Sequence, residues 1–301
     1  MAKPAQTIIP HLWFEKEAHE AARFYVSIFP ESNINENVVI FDTPSGDTET
    51  VYFNLWGHDF VAISGGPLFK FNPSVSFIVN FDSSREQDAN QQLNEVWNRL
   101  SESGTVLMPL DKYPFSERYG WIQDKFGVSW HLTLSKGNER PTIVPSLLFA
   151  GEQSGRAEEA MQFYLSVFNN SRRGLVVRTP QEAEPDQPGK IMFANFMLEN
   201  QWFAAMDGTK EHAFRFNGAI SLMVYCDTQE QIDDYWYKLS AVPEAEQCGW
   251  LMDRFGLSWQ IVPSGLDEML STGTPEQMAR VTAAFLKMKK IDLAELKRAR
   301  E

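Results

Sequence analysis

Five histidines occur in the 301 residues, and two of them, His11 and His131, lie inside short alternating apolar segments of the kind that form half-buried strands. A neutral imidazole, with an unperturbed pKa of about 6.5, can serve as a general base or a ligand donor. Strand alternation puts Trp13 on the face of His11, and Ser129 and Thr133 on the face of His131. No carboxylate is spaced to orient either ring and no nucleophile stands beside one, so the competing reading is two interior histidines that only make hydrogen bonds. His19, His58 and His212 fall on a predicted helix or in loops and read as solvated. A second candidate group is the matched pair Phe69-Lys70-Phe71-Asn72 and Phe214-Arg215-Phe216-Asn217, in which Lys70 and Arg215 could cap an anionic ligand or simply shield the surface. Trp121, Trp130, Trp250 and Trp259 read as core first and ligand platform second.

The elements that must position these residues repeat. Gly120-Trp121-Ile122-Gln123-Asp124-Lys125-Phe126-Gly127-Val128-Ser129-Trp130-His131-Leu132 returns as Gly249-Trp250-Leu251-Met252-Asp253-Arg254-Phe255-Gly256-Leu257-Ser258-Trp259-Gln260-Ile261. Each copy reads as a hairpin whose Asp-basic-Phe-Gly turn needs a glycine at positive φ. The copies differ where it matters chemically, His131 against Gln260. Upstream, Ile8 to Phe14 reads as a strand, Ala18 to Phe29 as a helix ending before Pro30, and three more strands follow to Ser64. The same order begins again at Ser74, and the second half retraces the first: Pro145 to Phe149 answers Pro10 to Phe14, and Ser221 answers Ser76. Four βαβββ units in two domains are predicted, with a linker over 138–145. The units occupy 1–137 and 146–270, and a C-terminal tail over 271–301 opens with a capping box from Thr274 to Gln277. The tail's apolar stripe, Met278, Val281, Phe285 and Met288, either packs on its own domain or makes a dimer contact.

With 27 Lys and Arg against 40 Asp and Glu, the net charge of −13 argues against nucleic-acid and anionic-membrane partners. Two cysteines give no disulfide framework, no run is long enough to span a membrane, and the start, Met1 to Pro4, is not that of a secretory signal. A cytoplasmic protein is the expectation.

At the paired Trp–Asp–Phe–Gly–Ser–Trp hairpins, and at Phe-Asn-x-x-x-Ser before them, the chain resembles the PhnB-like family, also labelled demethylubiquinone methyltransferase-like. That family lies in the vicinal oxygen chelate superfamily of glyoxalase I, bleomycin-resistance proteins and extradiol dioxygenases. The resemblance implies an α+β fold in which tandem βαβββ units form curved mixed sheets around cups. It also implies metal ligands on the first and last strands of the units. Those positions hold His11, Ala62, Ser76 and His131 in the first half, and Ser146, Ala205, Ser221 and Gln260 in the second. Only His11 and His131 could bind a divalent metal there, short of the three ligands a catalytic site needs, with Glu49, Glu117 and Asp207 as candidates for a ligand from elsewhere. No Gly-x-Gly turn follows the first strand, so no S-adenosylmethionine or nucleotide site is expected and the methyltransferase label is nominal. The resulting expectation is a small-molecule binding protein without a complete metal site, its ligand held by residues drawn from Trp13, Lys70, Asn72, Ser76, Ser129, Arg215, Asn217 and Gln260. The alternative is a glyoxalase-, lyase- or dioxygenase-like enzyme with His11 and His131 as metal ligands or acid-base groups. Units can close a cup within a domain or between domains; between domains, His11 would face Gln260 and His131 would face Ser146. A homodimer stays open.

Overall fold

The computed structural model describes residues 6–43, 46–137, 142–180 and 189–301. The first unit is β1 (Ile8–Phe14), α1 (Ala18–Ile28), β2 (Asn33–Thr43), β3 (Gly46–Leu55) and β4 (His58–Ser64). The second is β5 (Val75–Asp82), α2 (Ala89–Ser101), β6 (Thr105–Tyr113), β7 (Ser116–Gln123) and β8 (Ser129–Ser135). The third is β9 (Ile143–Phe149), α3 (Ala157–Val167), β10 (Arg172–Arg178), β11 (Ile191–Leu198) and β12 (Gln201–Asp207). The fourth, β13 (Ile220–Cys226), α4 (Gln229–Leu239), β14 (Trp250–Met252) and β15 (Ser258–Pro263), has one strand fewer than predicted. A 3-10 turn at Pro243–Ala245 stands where that strand was expected, since proline lacks the N–H a ladder requires. The linker expected over 138–145 runs into β9, which begins at Ile143, and its residues 138–141 lie outside the described part of the chain.

The strands form two mixed sheets, and each draws on both halves of the sequence. One runs β14-β15-β13-β1-β4-β3-β2, joining units one and four; the other runs β10-β11-β12-β9-β5-β8-β7-β6, joining units two and three. The seams are antiparallel, β1 against β13 and β5 against β9. The cups are therefore closed between the halves. Pro10 and Pro145 sit inside these central strands at no cost to the ladders, because the parallel pairing of β1 with β4 starts at His11 and that of β9 with β12 starts at Ser146.

Helices and aromatic side chains fill the space behind the sheets. Tyr25, Phe53, Phe77 and Trp130, together with Tyr164, Phe149, Phe203 and Trp259, belong to one continuous buried core. The repeated hairpin turns anchor it. Asp124 accepts hydrogen bonds from the Tyr25 hydroxyl at 2.8 Å, Trp130 Nε1 at 2.8 Å and the backbone N–H groups of Phe126 and Val128 at 2.8 and 3.0 Å. Asp253 repeats the arrangement with Tyr164, Trp259, Phe255 and Leu257. Gly127 and Gly256 close these turns at φ of 92° and 88°, where a side chain would be strained.

Three helices follow β15: α5 (Leu266–Ser271), which lies in the stretch assigned to the second domain, and α6 (Pro275–Phe285) and α7 (Leu293–Arg300), which form the tail expected over 271–301. The predicted capping box at Thr274 and Gln277 opens α6. The tail packs not on its own half alone but over the face of the shared β1/β13 sheet that points away from the main core. Ile9, Val61, Met223, Tyr225 and Val262 of that face are buried with Leu266, Leu270, Val281, Met288, Ile291 and Leu296. Backbone N–H groups of Cys248 and Gly249 donate to the carbonyls of Met288 and Lys289, both at 2.8 Å, so the tail partners backbone at the edge beside β14. Both cysteines are free thiols and buried.

Candidate functional site

Each seam carries one histidine, two hydroxyl or amide partners and no carboxylate. In the β1/β13 sheet, His11 stands opposite Ser221, and Gln260 Nε2 donates to the Ser221 hydroxyl at 2.8 Å. In the β5/β9 sheet, Ser76 stands opposite Ser146, and His131 Nε2 meets the Ser76 hydroxyl at 2.8 Å. The two trios are quasi-equivalent, but the imidazole has changed places: it sits on the seam strand in one sheet and on the neighbouring strand in the other. His11 and His131 therefore occupy different sheets and do not meet.

The metal positions implied by the resemblance fail for a second reason. Ala62 and Ala205 turn into the helix-side core with Leu12 and Phe203. The residues level with His11 and Ser146 on the cup faces are Val61 and Ala204, which offer no donor atom. Glu49 is engaged by Asn37, Glu117 by Lys112, and Asp207 accepts from the backbone N–H groups of Gly155, Ala157 and Ile191. Among the described residues no three His, Cys, Asp or Glu side chains cluster to hold a metal ion. The donor sets of the two cups do not fit a three-ligand metal centre.

The two cups differ in access. The tail helices cover the face that carries His11, whose Nδ1 has no hydrogen-bond partner and whose edge lies against Trp250 at a centroid distance of 5.5 Å. The rings of His11 and His131 are equally buried, at 3% exposure each, so the cups differ in what lies over them rather than in the burial of the imidazole. Trp13 closes the same end, packing on Phe69 and Trp250 and donating from Nε1 to the Gly66 carbonyl at 2.8 Å. In the β5/β9 sheet the corresponding face carries half-buried Tyr119, Trp121, Thr133, Phe193, Asn195, Trp202 and Met206 around a buried polar floor. Their alternation with core residues such as Ile122, Leu132, Phe196 and Phe203 assigns the face.

That floor is an organised hydrogen-bond chain. The Tyr119 hydroxyl lies 2.6 Å from His131 Nδ1, Ser76 holds Nε2, and Trp121 stacks on the ring at 4.8 Å and 16° while donating from its own Nε1 to Ser129 at 2.7 Å. Burial pushes both His11 and His131 down to about 3 and pushes the Tyr119 phenol upward. At neutral pH both rings are uncharged with a single N–H, and Tyr119 is a hydroxyl. A phenol is the better donor and an imidazole nitrogen the better acceptor, so Tyr119 donates to Nδ1 and the Nε2–H donates to Ser76.

Of the residues singled out in the sequence, the open cup brings together His131, Ser76 and Ser129; His11, Trp13 and Gln260 share the covered one. Asn72 and Asn217 lie in neither trio. Asn72 Nδ2 donates to the Arg215 carbonyl at 3.0 Å and Asn217 Nδ2 to the Lys70 carbonyl at 2.9 Å, a reciprocal strap between the matched loops. What ties Lys70 and Arg215 into that strap is backbone, while their side chains are exposed. The expectation concerned carboxylates and nucleophiles: the groups that orient His131 are a phenol and a serine hydroxyl, so only its second part, that no nucleophile-type group stands beside a ring, is corrected, by Ser76. Tyr119 was missed; the available signal was its place two residues before Trp121 in β7, diagonal to His131 across the β7/β8 pair.

The family described as 3-demethylubiquinone-9 3-methyltransferase matches residues 6–133 and again 141–262. None of the curated proteins matches the chain. The solved PhnB protein of Bacillus cereus is 35% identical over 43% of this chain and 100% of its own, with a TM-score of 0.38. Glyoxalase I of Zea mays is 9% identical over 87% of this chain and 94% of its own, with a TM-score of 0.52, a likeness of fold across both halves. Matched twice along its length, the chain belongs to the family described as 3-demethylubiquinone-9 3-methyltransferase.

Proposed function

We propose that the protein binds a small organic molecule in the cup of the β5/β9 sheet, around Trp121, His131 and Ser76, without a metal. The observation that carries this reading is His131 itself: both ring nitrogens are engaged, by Tyr119 and Ser76, and no carboxylate joins them. A ring so held is a fixed polar anchor rather than a free metal ligand. The aromatic walls and the few convergent polar groups are the usual make-up of a ligand pocket. Methyl transfer gains no support from the residues after β1, Glu15-Lys16-Glu17, which cannot form the glycine turn a nucleotide-type cofactor requires. The enzymatic reading, with His131 as an acid-base group toward Ser76, is weaker because burial leaves the ring a poor base.

The test is a thermal-shift screen of the full chain after chelator treatment. A ligand at 100 times its Kd stabilises by about 2.7 kcal/mol. Hits should persist without metal and vanish in Trp121→Ala; stabilisation that requires added zinc or manganese would sink the proposal.

A further inference from the structure

Ser146 is 0% exposed, on a central strand, and its hydroxyl has no hydrogen-bond partner. Such an atom is uncommon in a folded interior and calls for an explanation. Its neighbour across the seam is Ser76, also 0% exposed. The Leu148 N–H donates to the Ser74 carbonyl at 2.8 Å, two residues along the same antiparallel ladder, so Ser76 and Ser146 are likewise a hydrogen-bonded pair. Their α-carbons are then about 5.5 Å apart with both side chains on the cup face. The hydroxyls do not bond each other, and one acceptor atom between them would meet both at ordinary hydrogen-bond length.

The direction of the Ser76 proton follows from the chain behind it. With Tyr119 donating to Nδ1, the Nε2–H is fixed on Ser76 Oγ, which accepts it and is left with its own O–H to give away. Ser146 has the same unspent donor. The covered cup shows the contrast: there His11 takes the place of Ser146, and no such hydroxyl pair forms. None of Ser76, Ser146 and His131 has a charged hydrogen-bond partner, and the aromatic rings on the same face are Tyr119, Trp121, Phe193 and Trp202.

We infer that Ser76 and Ser146 are a donor pair that grips one carbonyl oxygen, and that the ligand of this cup is an uncharged aromatic carbonyl compound. Tyr119 and His131 are positioning residues that aim the Ser76 proton. This rests on the β5/β9 cup being the ligand site. Because burial keeps His131 neutral, the floor itself provides donors but no positive charge for a carboxylate; Arg172, a cation on this face, lies over the Trp202 ring at 5.1 Å, on the wall rather than the floor.

The experiment uses three probes of similar shape against the full chain in ligand-observed NMR titrations: acetophenone, α-methylstyrene, in which a methylene replaces the carbonyl oxygen, and benzoate. Acetophenone should bind about tenfold more tightly than α-methylstyrene, with benzoate weaker than acetophenone, and Ser146→Ala should erase the preference for the ketone. Ser146→Ala removes an unpartnered buried hydroxyl, so its Tm should hold or rise, which separates lost binding from lost folding. Equal binding of ketone and hydrocarbon, tighter binding of benzoate, no binding of any probe, or a ketone affinity unmoved by Ser146→Ala would each overturn the inference. Trp121→Ala separates the two levels: if it abolishes binding that Ser146→Ala leaves intact, the cup remains the site and only the donor pair falls. If neither substitution matters, both fall.

Discussion

Buried neutral histidines make stability depend on acid. The folded pKa of His11 and of His131, about 3, lies below the unfolded value of about 6.5. As pH falls through 6.5 the unfolded chain takes up protons that the folded chain refuses, so stability is whole above that value and falls toward pH 3. Each ring contributes a slope of up to roughly 1.4 kcal/mol per pH unit. Denaturant titrations from pH 7 to pH 4 should show a shallower fall in His11→Gln and shallower still in His11→Gln with His131→Gln; identical slopes would mean the rings are solvated. Glutamine is the apt replacement because Gln260 already fills the quasi-equivalent place of His131 and reaches Ser221. Asp124 gives a second residue-scale outcome. Burial pushes its carboxyl up while Trp130, Tyr25 and two backbone N–H groups oppose that shift. Asp124→Ala strands those donors and should cost about 3–5 kcal/mol in equilibrium unfolding, whereas a loss below about 1 kcal/mol would show that the node is not what anchors the turn.

The repeated hairpins, the glycine turns, the strand order within units and the capping box could be read from the sequence because each has a local cause: alternation, a positive φ, a side-chain oxygen three residues from its donor. Elements whose fate depends on distant partners were less legible. The missing strand of the fourth unit follows from Pro243, but the segment that covers the adjoining edge, Met288 and Lys289, lies far along the chain. The tail stripe was visible as amphipathic, and nothing local said that it would lie over strands from the first 64 residues. Ile291 is the sharpest probe of that docking: it is fully buried and its carbonyl accepts from Gln229 Nε2 at 3.0 Å. Ile291→Ala should cost about 2–5 kcal/mol and increase hydrogen exchange in α6 and α7 before the sheets. Loss of protection spread evenly over the molecule would show instead that the tail is not a separable element.

At the scale of the whole molecule, tandem halves that share both sheets cannot each be complete. The sequence offered the site trios only as one of two alternatives: His131 could be seen, but whether it would share a cup with Ser146 depended on the closure of the units, and Ser146 stands opposite Ser76 only because β9 pairs with β5 rather than with a strand of its own half. The first half alone, residues 1–137, would expose the seam edges of β1 and β5, which invite pairing. It should self-associate or aggregate, and co-expression with residues 142–301 should restore a one-to-one complex; a well-folded monomeric first half would contradict the exchanged seams. Among the described residues, the chain's own tail covers one cup, whereas the other is walled by half-buried aromatic side chains with no helix packed over them, and that asymmetry predicts a single ligand site. The measurement that tests it most directly is the binding stoichiometry of a screening hit, by calorimetric titration of the chelator-treated full chain and of His11→Gln. One ligand per chain, unchanged in His11→Gln and lost in Trp121→Ala, is the predicted result. Two ligands per chain, a requirement for added metal, or loss of binding in His11→Gln would contradict it.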